Sequence, residues 1–411
     1  MTYFRKAGTL ALILGTTAGT STLAETLTVY FNAGHAYHTY LEVIEQFEAD
    51  NPGWEVALER YQWPDMRTKL VADFAGGTTP DLVAEPGGWV TEFAEQGHLT
   101  PLGDFIEQDS DYGFPEDWQD SSVAKNTLDG EIYAVQIHLT CATLLYNVDM
   151  LSEAGFDGPP TNWEEFREVA IATTGGGKYG FAPNPSIAYY FPWLYQNGAD
   201  WYDADAHEMT FGSDAAMEAI QFVGDLIHKD RAAPPPIQGA DYEGPQKLFT
   251  AGRAAMIITG PWDVRPIKEG NPDLNWAVAP SLTHKEQRTM QGGVSLMIPA
   301  EAEHPEMAWE LTKRLTAVDV EVATALQYGM TMPRKSWLEN EEIANDPILS
   351  AFGSCLPYSQ GTTTEISRSG APVSQLETIY LGAIDEVVYG GAQAADVMPA
   401  AEDEANQLLS Q

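Results

Sequence analysis

Positive charge is scarce in this 411-residue chain: 21 Lys and Arg stand against 60 Asp and Glu, a formal balance of −39. That deficit excludes a nucleic-acid binder, because phosphate contacts need a basic face. It also disfavours docking on anionic lipid. Cysteine is nearly absent, with Cys141 and Cys355 alone. Two thiols cannot build a cysteine-rich metal site, and a disulfide and two buried inert thiols remain as alternatives. No stretch beyond residue 24 approaches 18 consecutive apolar residues, so no stable membrane insertion is expected. The eight histidines form no HExxH, GxSxG and CxxC are missing, and Gly175-Gly-Gly177-Lys178 lacks the phosphate-loop spacing. Asp109-Ser-Asp111-Tyr-Gly113 resembles the start of a calcium loop, but its glycine comes one position early. No cofactor and no catalysis are called for.

What is present is the composition of a folded protein. Apolar residues make up 44% and aromatics 11%, which argues against global disorder despite the charge. The length suggests two to four domains at roughly 100–200 residues each. The first 24 residues carry Arg5 and Lys6, the apolar run Leu10–Leu14 and the small-residue ending Thr22-Leu23-Ala24. That is the pattern of a secretory signal peptide, and it predicts a periplasmic protein of a Gram-negative bacterium. No cysteine follows the cleavage point, so a lipid anchor is not expected. Removal leaves 19 basic residues against 60 acidic ones, or −41.

Glu25–Phe31 alternates as a strand, and the turn-like Asn32-Ala-Gly34-His35 follows. A helix with Tyr40, Ile44 and Phe47 on one face stops at Asn51-Pro52-Gly53. A strand over Trp54–Leu58, a helix over Met66–Phe74 and a short strand over Asp81–Ala84 come next. Thr161 and Glu164 form a capping-box pattern, Ser213 can cap a helix, and Ala254–Ile258 is a buried strand running into Thr259-Gly-Pro-Trp262. Strands alternating with helices predict α/β architecture with largely parallel sheets. In such sheets ligands gather beyond the carboxyl ends of strands. Aromatics beside turn residues cluster there: Trp89 after Gly87-Gly88, Tyr189-Tyr190-Phe-Pro-Trp193, and Trp262 after Gly260-Pro261. Aromatic faces suit the C–H faces of sugar rings, with polar groups at the rim for hydroxyls. His35, Glu85, His138 and Thr140 lie at equivalent loop or strand-end points.

Five short segments, in order, carry a resemblance: Lys69–Val83, Phe93–Leu102, Gly130–Val135, Leu145–Met150 and Ala251–Trp262. With them the chain resembles the family 1 extracellular solute-binding proteins of ABC importers, the group that contains maltose-binding protein. The resemblance implies a two-lobed periplasmic binding protein fold, each lobe a largely parallel sheet flanked by helices. Crossing segments at Val135–His138, Gly292–Ser295 and near Gly329–Pro333 would join the lobes. Lobe one would then comprise residues 25–138 and 295–330, and lobe two 139–294 and 331–411, with both cysteines in lobe two. It implies ligand contacts at Asn32, Gly34 and His35, at the Glu85–Trp89 loop, at Thr140 and at Tyr189 or Tyr190. Trp262 matches a stacking tryptophan of the family, and Tyr380 aligns roughly with another stacking aromatic. Gly293 in the second crossing, Arg334 beyond the third, and Tyr358 complete the candidate set.

The expected function is sugar capture in an interlobe cleft by hinge closure, with delivery to inner-membrane permease subunits by a monomeric receptor. Thr140 stands where a carboxylate would bind in the maltose pattern, so maltose itself is not implied. A second expectation keeps the fold and binds an acidic or phosphorylated compound through His35, Arg334 or Arg368. An exported carbohydrate-active enzyme and a pure adhesion protein are the rivals of other classes.

Overall fold

The computed structural model describes Met1 and residues 24–236, 243–362, 366 and 371–410. The export signal expected over 1–24 falls almost entirely outside the described residues, as does Arg368. Strand β1 (Glu25–Asn32) buries Leu27, Val29 and Phe31 on one face and Tyr30 on the other. It pairs in parallel with β2 (Trp54–Tyr61) and β3 (Leu82–Glu85). Helix His38–Asp50 lies between the first two and buries Tyr40, Ile44 and Phe47, the face its periodicity defines. Helix Trp63–Gly76 ends where Gly77 turns left-handed at φ 66°, a conformation a side chain would strain.

The chain then enters β4 (Ala134–Cys141), which is buried along its whole length and passes from the first lobe to the second. There β5 (Thr143–Asn147), β6 (Tyr179–Phe181), β7 (Ala254–Thr259) and β8 (Trp276–Val278) form a four-stranded sheet in the order β8-β5-β7-β6. Strand β9 (Thr289–Met297) returns antiparallel to β4, pairs with β3, and at its start takes on β10 (Ser359–Gln360). Both sheets are therefore mixed. The β2-β1-β3 portion is parallel, but strands that run between lobes must travel in opposite senses, and β5 meets both its neighbours antiparallel. A register shift falls between Val294 and Ser295, at the passage itself.

Each lobe has its own core. Phe31, Tyr40, Phe47, Trp118, Ile137, Leu296 and the helix Pro305–Leu315 pack together on the first. Trp163, Phe166, Trp193, Ile220, Val223, Tyr380 and Ile384 centre the second. A fully buried side chain of this size contributes about 1.5–3 kcal/mol by leaving water. A small separate cluster gathers Tyr328, Met330, Met332 and Trp337.

Local details differ from the sequence pattern at one cap. Asn162, not Thr161, caps helix Trp163–Ala172, accepting from the Glu165 amide, while Glu165 reaches back to the Thr161 amide and hydroxyl. Asn162 Oδ1 takes the third helical amide, so the cap forms one residue later than the Thr161–Glu164 spacing predicts. Ser213 caps helix Asp214–His228 as its spacing predicts. Cys141, at the end of β4, is disulfide-bonded to Cys355 at the end of helix Pro347–Cys355, with Cα atoms 6.2 Å apart. Asp109 is engaged by Trp309 Nε1 at 2.6 Å and by Lys313 at 3.0 Å. Among the described residues no helix is long and apolar enough to cross a membrane.

Candidate functional site

Where the two lobes meet, a cavity of about 280 Å³ is lined by His35, Trp63, Pro86, His138, Thr140, Ala188, Tyr189, Trp262, Gly293, Val294 and Met330. Six of these were candidates from sequence. They come from loops at strand ends in the first lobe, from both inter-lobe strands, and from turns of the second lobe.

The β1 turn is built for His35. Asn32 Oδ1 accepts from the Gly34 amide at 2.8 Å while its Nδ2 donates to the Tyr61 carbonyl, so this buried side chain shapes the turn. Gly34 is exposed within it. His35 is thereby held with its ring 5.5 Å from Trp63 and 5.6 Å from His138. His138 Nε2 meets the Tyr40 hydroxyl at 2.6 Å, which leaves Nδ1 for the cavity. Burial holds His35 down to about 4, and burial followed by the neighbouring His35 holds His138 well below its ordinary value. Both rings are neutral at neutral pH.

The β3 loop closes on its own carboxylate. Glu85 Oε2 accepts from the Gly88 and Trp89 amides, each at 2.9 Å, and Gly87 supplies the left-handed turn at φ 81°. Glu85 therefore sits beneath the wall, and Trp89 packs edge-on behind Trp63 at 6.2 Å. Only Pro86 of this loop lines the cavity.

Trp262 owes its placement to what precedes it. Gly260 and Pro261 open the single 3₁₀ turn Pro261–Asp263, and a Cβ at Gly260 would stand 2.2 Å from the Trp262 ring. Only glycine lets the indole fold back over the chain. Thr259 donates to Asp263 Oδ2 at 2.5 Å across the same turn, and burial pushes the Asp263 carboxyl up to about 7. Gly292 leaves similar room for Thr140, whose Oγ1 would lie 2.7 Å from a Cβ there. His35 Nδ1, His138 Nδ1, Thr140 Oγ1 and Trp262 Nε1 are buried and have no hydrogen-bond partner among the described residues. They converge from both lobes on one space.

Five further candidates lie elsewhere. Trp193 is core, ringed by Trp163, Phe166, Phe181 and Phe222 at 5.4–6.0 Å, because its helix turns that face inward. Tyr190 is buried behind the wall, and Tyr380 packs on Phe191, Trp201 and Phe211. Arg334 is not a ligand cation. It pairs with Asp117 at 2.9 Å, donates to the Thr316 carbonyl and lies 3.9 Å over the Trp118 ring. Tyr358 is 44% exposed and lines none of this cavity. Trp63 was missed: it opens a helix just after β2, where its side chain projects over the strand ends. Trp-Pro at a helix start was the available signal.

The bacterial extracellular solute-binding protein family matches residues 34–320. A Brucella abortus protein designated a binding protein is 28% identical over 364 residues, 86% of this chain and 87% of its own. The maltotriose-binding protein of Pyrococcus abyssi is 26% identical over 359 residues, 85% of this chain and 74% of its own. Among solved structures, a Thermotoga lettingae ABC transporter solute-binding protein bound with α-D-tagatose is 25% identical. It superposes with a TM-score of 0.83 over 94% of this chain and 100% of that one.

Proposed function

This chain belongs to the bacterial extracellular solute-binding protein family, and from that premise we propose that it captures a neutral mono- or oligosaccharide in the interlobe cavity. One observation carries the reading. The cavity wall combines Trp63, Trp262 and Tyr189 with four unpaired, uncharged polar atoms, and no Lys or Arg of the described residues lines it. Indole and phenol faces stack on sugar rings. The imidazole nitrogens and the Thr140 hydroxyl donate or accept, and the indole N–H donates, so hydroxyls on either side of a ring find partners.

Ligand contacts from both lobes stabilise the closed arrangement more than the open one, and that difference drives closure. The closed form would dock on the inner-membrane permease of an ABC importer, with this receptor monomeric in the periplasm. The names of the relatives support the ligand class: besides maltotriose, one of 21% identity is an arabinooligosaccharide-binding protein of Bacillus subtilis. An anionic ligand is disfavoured because Arg334 is spent on Asp117. Glycoside hydrolysis needs paired carboxylates, and no Asp or Glu of the described residues lines the cavity.

Calorimetric titration with neutral sugars, glucuronate and glycerol phosphate tests the proposal. Heat with at least one neutral sugar is expected. Binding confined to the two anions would overturn it.

A further inference from the structure

His138 turns one ring nitrogen to the cavity and the other to the Tyr40 hydroxyl, 2.6 Å away. Both residues are 1% exposed, and His138 Nδ1 has no hydrogen-bond partner among the described residues. A neutral imidazole carries one N–H and one lone pair. Whichever role Nε2 plays toward Tyr40, Nδ1 therefore takes the opposite role toward a ligand. The phenol decides what the cavity offers at this point.

Three features make the hydroxyl the donor. A phenol O–H is a stronger donor than a neutral imidazole N–H, and an imidazole lone pair is a stronger acceptor than a phenol oxygen. Burial raises the Tyr40 phenol well above its ordinary value, Tyr37 and Glu321 add to the rise, and the smaller opposing effect of Thr324 leaves it raised. The phenol thus keeps its proton. Burial, followed by His35, holds His138 neutral, with a lone pair to receive the bond. The hydroxyl is also held in place. Thr39 and Thr324 join hydroxyls at 2.7 Å, and the His38 amide donates to the Tyr328 hydroxyl at 2.9 Å. Helix Val318–Tyr328 so pins the first turn of helix His38–Asp50, which carries Tyr40. The rings of Tyr40 and Tyr37 flank the imidazole, with centres 5.7 and 5.6 Å from its own.

We propose that Tyr40 is a positioning residue: its hydroxyl donates to His138 Nε2, fixes the imidazole proton on Nδ1 and makes that nitrogen a dedicated donor to the ligand. The indole N–H of Trp262 is likewise donor only, and it too is buried and unpaired. The ligands this selects offer oxygen lone pairs at both places, as hydroxyl, ring and glycosidic oxygens of a sugar do. An ammonium group satisfies neither. The donor's use rests on sugar capture in the cavity; the place of the proton does not.

Imidazole nitrogen-15 correlation spectra of the ligand-free mature chain at neutral pH read the tautomer. His138 is assigned through bonds to its own backbone, so no variant is needed for this reading. Nδ1 protonated and Nε2 bare is the expected pattern; the reverse pattern, or an imidazolium, overturns the proposal. In Tyr40→Phe the proton is expected to move to Nε2, the form an unpartnered imidazole prefers. A proton that stays on Nδ1, as a merely structural role for Tyr40 would give, overturns its part. Calorimetry with glucose, galactose, arabinose and maltotriose then compares the parent with Tyr40→Phe. The tightest of the four is expected to weaken about tenfold, and unchanged affinity with a moved proton overturns the donor role. If none of the four binds the parent, sugar capture fails, and the ligand-free spectrum alone upholds or overturns the placement of the proton.

Discussion

Two Pro-Trp pairs open short helical turns in the second lobe, and their tryptophans have opposite fates. Pro192-Trp193 lies in the first turn of the six-residue helix Phe191–Gln196, and its indole is 2% exposed inside the core. Pro261-Trp262 begins a single 3₁₀ turn after Gly260, and its indole faces the ligand cavity. The difference lies in the preceding residue. Phe191 is itself buried and draws its turn into the core, whereas Gly260 has no Cβ and lets the ring lie back over the backbone. Identical dipeptides thus end in the core or on the cavity wall according to one neighbour.

The contrast can be broken by substitution. Trp193→Ala should cost about 3–5 kcal/mol of stability through a cavity in the core, read by denaturant unfolding, with sugar affinity of the folded protein unchanged. A loss of stability no greater than that of Trp262→Ala would erase the distinction. Trp262→Ala should do the reverse, weakening sugar about tenfold or more in calorimetry while the unfolding midpoint stays near that of the parent. Gly260→Ala should fall between them in affinity, since its methyl must displace the ring but leaves it present. An affinity equal to the parent's would show that the ring's position does not depend on Gly260.

Acidity should sharpen the comparison further. Burial raises Asp263, beside Trp262, to about 7 from 3.8, so its contribution to stability is complete below 3.8 and is lost as pH rises through 7. His35 runs the other way: held at about 4 against 6.5, it contributes above 6.5 and loses that contribution as pH falls toward 4. Asp263→Asn should therefore gain stability relative to the parent between pH 5 and pH 8, in thermal unfolding at several pH values. A flat difference would mean the carboxyl is not protonated in the native turn. The smallest effect expected is from salt. Screening should raise the unfolding midpoint of so acidic a surface by a few degrees between low salt and about 0.5 M, yet leave neutral-sugar affinity unchanged. Affinity that falls with salt would place charge in the cavity.

Much of the first lobe was legible because its signals are local. The periodicity of Tyr40, Ile44 and Phe47, the stop at Asn51-Pro52-Gly53 and the alternation of β1 each lie within a dozen residues. The site was legible where a glycine-bearing turn marks a strand end, as at His35 and Trp262. It was not legible where a role depends on a distant partner. Arg334 resembles a free cation until Asp117, 217 residues away, occupies it. The Lys125 ammonium that faces buried Glu85 is likewise invisible locally, because the two stand 40 positions apart. The parallel-sheet expectation held for β1, β2 and β3 but could not anticipate strands that cross between lobes, since direction is a property of the whole path.

The bond between Cys141 and Cys355 spans 214 positions and turns that stretch into a covalent ring. Tyr189, Trp262, Gly293 and Met330 lie on the ring, while His35, Trp63, Pro86, His138 and Thr140 lie on the open tail before it. In the oxidised unfolded chain the two halves of the cavity therefore belong to topologically different pieces, one closed and one linear. Closure confines the search of the ring residues for one another and does nothing for the tail. The binding cavity exists only once the tail has laid β3 and β4 against the ring's β9, so ligand competence reports the union of the two.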